Sequence, residues 1–323
     1  MNGTELGYLL AFLAMFTNSL SSFPFTDAAR KWGSVALNHF RLVIALVVLT
    51  ALCVTIDKES FVELFAGPSL KQYIFVGASG ILGLAVGDYF GFYAMSILGA
   101  RVSSIFNTIA PGATLLFGFI LLSEDISSIG VFGIAVSIGG MIWFLTSGQS
   151  KEDKAPLLKH GSVKKGILFG ILAGLCQGFH IVIAKKGLSD TSYALSPLHA
   201  TWIRIFIATL AYFLFTFSRG RLKKDVIAVV RNGSDIIAKV TFATVWGLVL
   251  SVVLVMWSIT LCKVAVVQTI ISLVPIVVVP MAYVLYKEKM TFKTMIAAFV
   301  SVTGVFVLIW REDIAHWILV HLH

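Results

Sequence analysis

Charge is scarce in this chain. Of its 323 residues, 13% are charged and 58% are hydrophobic, and the mean hydropathy is +0.93. A soluble domain needs a charged surface facing water, so this balance excludes one as the bulk of the chain. Cysteine is scarce too. Cys53, Cys176 and Cys262 all fall in long apolar stretches, which argues against a disulfide framework, and no CxxC spacing offers a metal site. There is no HExxH, no GxSxG with a catalytic partner and no pair of membrane aspartates. Neither enzymatic activity nor a cofactor or metal is therefore expected.

What is present is apolar length. A bilayer-spanning helix needs about 20 apolar residues. That ruler finds ten candidates, near 6–25, 35–56, 72–97, 102–122, 128–146, 166–184, 198–217, 240–261, 264–286 and 295–310. The runs are continuous, unlike the alternating segments of about ten residues in a membrane barrel, so helices are predicted. The first run has Glu5 and no Lys or Arg ahead of it, and no small-x-small site follows. It therefore reads as a span and not as a cleaved leader.

The net charge of +9 is a topology signal, not a footprint for nucleic acid. The odd-numbered connectors carry 17 Lys and Arg; the even-numbered ones and the tail carry 6. The positive-inside rule then puts the odd connectors in the cytoplasm and both termini outside.

The chain also repeats itself. A shift of 164 residues brings Pro111 onto Pro275, Glu124 onto Glu288, Ser137 onto Ser301 and Gly140 onto Gly304. Shifts of 163 and 159 bring Arg41 onto Arg204 and Asn18 onto Gln177. Apolar sequences align with one another easily, but Pro, Glu and Arg are not apolar. The reading is a first five-helix repeat over 1–147, a basic linker over 148–165, a second repeat over 166–310 and a short tail over 311–323. An odd number of spans per repeat inverts the second copy, which is the plan of many secondary transporters with a substrate site near the midplane.

Ala94…Pro111…Glu124…Gly140 resembles the alanine, mid-helix proline, helix-end glutamate and glycine signature of the EamA family of the drug/metabolite transporter superfamily. Val264…Pro275…Glu288…Gly304 resembles its second copy. Arg41 and Arg204 match an arginine found early in the second helix of each half. The resemblance covers essentially the whole chain. It implies an all-α polytopic fold of ten transmembrane helices, as two inverted five-helix repeats around a central cavity, with alternating access. It also implies traffic in small metabolites, often export of amino acids or related compounds, with sugar nucleotides or phosphorylated sugars carried by relatives. Both termini of such proteins are expected in the cytoplasm, the reverse of the charge count.

Polar side chains inside the spans are the candidate site residues, because the bilayer makes them costly. Asp88, in Gly87-Asp88-Tyr89-Phe90, has no Lys or Arg within one turn. It could take up a proton or a cationic amine, or pair with Arg41 or Arg204 from another helix. Those arginines suit a carboxylate or phosphate; the structural alternative is snorkelling to the interface. Ser104 and Asn107 share a face with Pro111, and Gln268 and Ser272 share one with Pro275. The prolines are expected to kink their helices, and Asn18, Gln177 and these neighbours to line the site, the alternative being interhelical hydrogen bonds. His39 is a candidate proton relay and His180 a substrate ligand, and a packing role is open for both. Tyr93 and Trp257 occupy matching places and could stack on a substrate or simply pack. Glu124 and Glu288 are expected to cap the following helix. Gly83, Gly87 and Gly91, and Gly166, Gly170, Gly174 and Gly178, form stripes for close helix contact.

The expected protein is thus a secondary transporter, an exporter in the reading preferred here. Its substrate would be a small polar metabolite, above all an amino acid or related amine or carboxylate. It would sit in the cell membrane as a monomer or homodimer, with lipid and protons as its other candidate partners. The alternatives are a flippase for a lipid or lipid-linked metabolite, and a sugar-phosphate or nucleotide-sugar exchanger. For topology the prediction is concrete. A cysteine introduced in 218–239 should react with an impermeant thiol reagent from the cytoplasmic side, and labelling from outside reverses the orientation.

Overall fold

The computed structural model describes residues 2–147, 162–220, 222–231, 234–274, 276–278, 280–281 and 292–321. The described residues are helical throughout, with short turns between helices and no strand among them. In chain order the apolar helices of the first half are α1 (Gly3–Trp32), α2 (Ser34–Asp57), α3 (Leu70–Leu98), α4 (Phe106–Leu122) and α5 (Ser128–Ser147). The second half supplies α6 (Val163–Leu188), α7 (Pro197–Ser218), α8 (Ile236–Leu261), α9 (Val264–Ile271) and α10 (Phe292–Ile309). Six of them are long and apolar enough to cross a membrane, and α4, α5, α9 and α10 are shorter apolar helices. Large side chains such as Phe119, Phe132, Phe215 and Phe299 point outward. That surface is suited to lipid and not to water.

The boundaries depart from the sequence reading where the backbone does. The first span was expected to stop near 25, but α1 runs on to Trp32. It ends at Gly33, whose φ of +83° a side chain would resist, and α2 starts at the next residue. The first connector is therefore mostly helix. Between α3 and α4 the chain reverses around a 3₁₀ segment, Ser104–Thr108. The neighbours of α6 establish this reversal. Its Gly166 abuts Leu98 and its Gly187 abuts Val76, so α6 runs antiparallel to α3. Its Gly170 abuts Phe106 and its Gly178 abuts Ala110, so it runs parallel to α4.

Contacts between equivalent helices give the relation of the two halves directly. Where α5 crosses α10, Gly140 lies against the backbone of Ser301, and Gly304 lies against the backbone of Ser137. Ser301 Oγ donates to the Ser137 carbonyl at 2.8 Å. The 164-residue shift exchanges these partners, so each helix meets its own counterpart, as in a two-fold interface. The contact runs antiparallel, because Gly133 meets Leu308 and Gly140 meets Ser301. The α2–α7 crossing behaves alike. His39 packs on Phe213 at 4.7 Å between ring centroids, and Trp202 Nε1 donates to Thr50 Oγ1 at 2.9 Å. The 163-residue shift turns His39 into Trp202 and Thr50 into Phe213. Antiparallel contact between equivalent helices is the structural meaning of an inverted repeat.

Both halves also carry a π-helical stretch at the same place. It covers Ile81–Gly87 in α3 and Thr244–Leu250 in α8, within one residue of the 164-residue shift that carries Gly83 onto Gly247 and Leu84 onto Leu248. Widened turns of this kind are uncommon and gather at functional sites.

The α5–α10 seam sets the first stability expectation. A methyl group at Gly304 would collide with the Ser137 backbone, which has no flexible end to yield. Gly304→Ala should cost about 1–3 kcal/mol, as overpacking generally does. It should lower the melting temperature of the detergent-purified protein, and an unchanged melt would mean the helices part without penalty.

Candidate substrate cavity

A cavity of about 190 Å³ lies between the halves, and both π stretches line it, that of α3 through Gly83 and Leu84 and that of α8 through Gly247 and Leu248. Its remaining wall comes from α1, α2, α4, α6, α7 and α9. Four prominent polar lining groups come from the first half: Asn18, Arg41, Asp88 and Asn107. Gln177, His180, Arg204, Gln268 and Ser272 come from the second. Nine of the residues singled out from the sequence thus converge on one space.

Their connections form a chain. Arg41 and Asp88 are an ion pair between α2 and α3. Asp88 Oδ1 accepts from Gln177 Nε2 at 3.2 Å. Gln177 Oε1 lies 2.9 Å from His180 Nε2, and His180 Nδ1 lies 3.0 Å from Arg204 Nη2. A guanidinium can only donate, so His180 Nδ1 accepts and its Nε2–H donates to Gln177. Every hydrogen bond in the chain therefore points toward Asp88, from Arg204 through His180 and Gln177 on one side and from Arg41 on the other.

Arg41 is held on all sides. Its Nε donates to Asn38 Oδ1 at 2.8 Å, and its guanidinium carbon sits 4.6 Å from the Phe92 ring centroid. Asn38 Nδ2 in turn donates to the Leu84 carbonyl at 3.1 Å, within the π stretch of α3. The sequence reading missed Asn38. Its signal is a buried amide three residues before a buried arginine, on the same helix face.

The other candidates lie elsewhere. Tyr93 is outside the cavity wall, in edge contact with Phe169 at 4.6 Å. Trp257 is 43% exposed on the outer surface. His39 is buried between α2 and α7, where its Nε2 is 2.9 Å from Thr216 Oγ1, a packing position. Pro111 sits in the first turn of the α-helical Ile109–Leu122, just after the 3₁₀ segment, and not in mid-helix; proline is tolerated there because the first amides have no helical partner. The side chain of Ser104 and the whole of Pro275 and Glu288 lie outside the described residues.

Glu124 does cap a helix, but not the following one. Its Oε2 accepts from the Val264 amide at 2.9 Å, at the start of α9, and its Oε1 pairs with Lys185 at 2.6 Å. Lys185 also donates to the Cys262 carbonyl at 2.7 Å. This ties the ends of α4, α6 and α8 to the beginning of α9. On the same face, Gln72 Nε2 donates to the carbonyls of Asp190 and Tyr193, both at 2.9 Å, and His199 Nδ1 lies 2.9 Å from Glu59 Oε1. Asp190 is outside the spans. Hydrogen bonds from the Ser192 side chain and backbone, then from Ser69, hold its carboxyl below the usual range. Two polar networks thus fasten the even-connector side of the molecule. Among the described residues one group of potential metal donors stands out, Cys53, Asp57 and Glu59 at the end of α2. Its carboxylates already accept from Ser196 and face His199.

A polytopic helical protein with a polar cavity between inverted halves belongs to the class of membrane transporters. The EamA-like transporter family matches this chain twice, over residues 5–146 and 164–310, and the chain belongs to that family. It is similar to a WAT1-related protein of Arabidopsis thaliana, 22% identical over 307 residues and 88% of each chain. A solved crystal structure shares the fold with a TM-score of 0.66 at 14% identity, over 93% of this chain and 95% of the other.

The Arg41–Asp88 pair can be tested by a double-mutant cycle. Asp88→Leu leaves Arg41 buried without a counterion and should cost about 3–5 kcal/mol, whereas Arg41→Met with Asp88→Leu should recover most of that loss. Melting of Asp88→Leu, Arg41→Met and the double variant in detergent decides it, and additive losses would mean the pair is not coupled.

Proposed function

We propose that this transporter moves a small polar metabolite bearing a carboxylate, an amino acid or related compound in the first instance, by alternating access. Export across the cell membrane is the direction proposed. The observation that carries the reading is the chain from Arg41 to Arg204 along the cavity wall. It places two guanidiniums and one carboxylate in a space between halves that can rock against each other. The even-connector side is fastened by the Glu124–Lys185 and Gln72–Asp190 networks, so an alternating cycle has to release them. Asp88 is the proposed proton site, since it ends every hydrogen bond in the chain and a proton there would loosen Arg41.

The size of the cavity bears on the alternatives. About 190 Å³ is below the roughly 300–1,000 Å³ of pockets for drug-sized ligands, which speaks against a nucleotide sugar. One observation favours the flippase reading. An apolar groove of about 620 Å³ runs beside α2 and α8, with Val48, Leu52, Trp246 and Trp257 in its wall. Its few polar atoms give no route for a head group, so the metabolite reading is preferred.

Vesicles reconstituted with the protein and loaded with unlabelled amino acids should take up labelled ones by counterflow. Lipid scrambling in the absence of counterflow would favour the groove instead. An imposed pH gradient should drive accumulation by the wild-type protein and not by Asp88→Asn. If the variant responds like the wild type, Asp88 is not the coupling site.

A further inference from the structure

The two arginines are equivalent in the repeat but not in their surroundings. Arg41 has Asp88 as its counterion and Phe92 under its guanidinium. A shift of 164 carries Asp88 to Val252 and Phe92 to Met256. The structure keeps that correspondence, because Arg204 Nη1 donates to Met256 Sδ at 3.2 Å, and both Val252 and Met256 line the cavity. Where the first half has a carboxylate, the second has an isopropyl group.

Arg204 is accordingly a charge without a counterion. It is 1% exposed. Nη2 reaches the neutral His180, Nη1 reaches a thioether, and Nε is buried with no hydrogen-bond partner. No carboxylate lies within ion-pair distance of it among the described residues. Asp88 makes its ion pair with Arg41, and Arg204 is linked to it only at a remove, through His180 and Gln177. A buried guanidinium in this condition is costly, and a carboxylate offered in two-pronged geometry is the group that offsets it best.

We infer that Arg204 is the anion-binding residue of the cavity. The carboxylate of the substrate takes, beside Val252 and Met256, the place on Arg204 that Asp88 takes on Arg41. The inference rests on the transport reading of the cavity and narrows it. The substrate's essential group is a carboxylate, and an ammonium group is dispensable, because the one described acid of the cavity wall is already engaged by Arg41.

The missing carboxylate can be put back. Val252→Asp supplies Arg204 with an internal counterion, and Val252→Asn controls for shape and polarity. Val252→Asp should melt higher than Val252→Asn by roughly 2–4 °C, and its uptake should fall about tenfold or more, as loss of a charge-assisted contact does. In the wild-type protein, propionate and alanine should raise the melting temperature while propionamide and alaninamide do not, and Val252→Asp should be indifferent to all four. The inference is overturned if Val252→Asp melts at or below Val252→Asn. It is equally overturned if the amides act like the acids, or if the wild type ignores both acids. Failure of the transport reading looks different: the acids would stabilise the wild type through Arg204 yet never cross the vesicle membrane.

Discussion

A guanidinium in the middle of a helix bundle surrounded by lipid has to find its hydrogen bonds and its counter-charge inside the protein. Water and salt are too far away to help. Much of the cavity's architecture follows from satisfying Arg41 in this way. Asp88 on α3 supplies the charge, Asn38 on α2 fixes the Nε, and the π stretch of α3 presents the carbonyls that Asn38 needs. Gln177 and His180 of α6 then extend the hydrogen bonding across the boundary between the halves. The helices that carry these groups approach closely because glycine faces them. Gly83 lies against His180 and Gly87 against Cys176, so side chains there would push α6 away and break the chain of bonds.

Much of this was legible in the amino acids. Span positions followed from apolar length, and the inverted repeat from Pro, Glu and Arg recurring at nearly constant offsets. Asn18, Asp88, Gln177 and Arg204 stood out because a polar group in an apolar run has few innocent explanations. What stayed hidden was what only three-dimensional pairing creates. The partner of Asp88 lies 47 residues away on another helix, and local sequence does not reveal which of two arginines takes it. Asn38 was overlooked because its task is to serve Arg41 and the carbonyls of a π stretch, and no residue pattern announces that stretch beforehand.

The reading of single aromatic and imidazole groups was weaker for the same reason. Tyr93 and Trp257 occupy equivalent places, yet a spanning helix has both an inner and an outer face. Trp257 turned out to be on the outer one. Glu124 was correctly tied to a helix start, but its helix is α9, brought close by the packing of the second half and not by chain order. A glutamate at the end of a span announces that it will cap something, and the fold chooses what.

The seam between α5 and α10 and the cavity between the halves treat the repeat differently. At the seam, Gly140 presses on the counterpart of the residue that Gly304 presses on. The two halves offer matching residues to matching contacts there, as the two copies of a homodimer do. In the cavity, Asp88 has been matched against Val252 and Phe92 against Met256. There the two halves face one space with unlike side chains, as the subunits of a heterodimer do. A single chain therefore combines the contact geometry of a symmetric pair with a ligand surface that has no need to be symmetric.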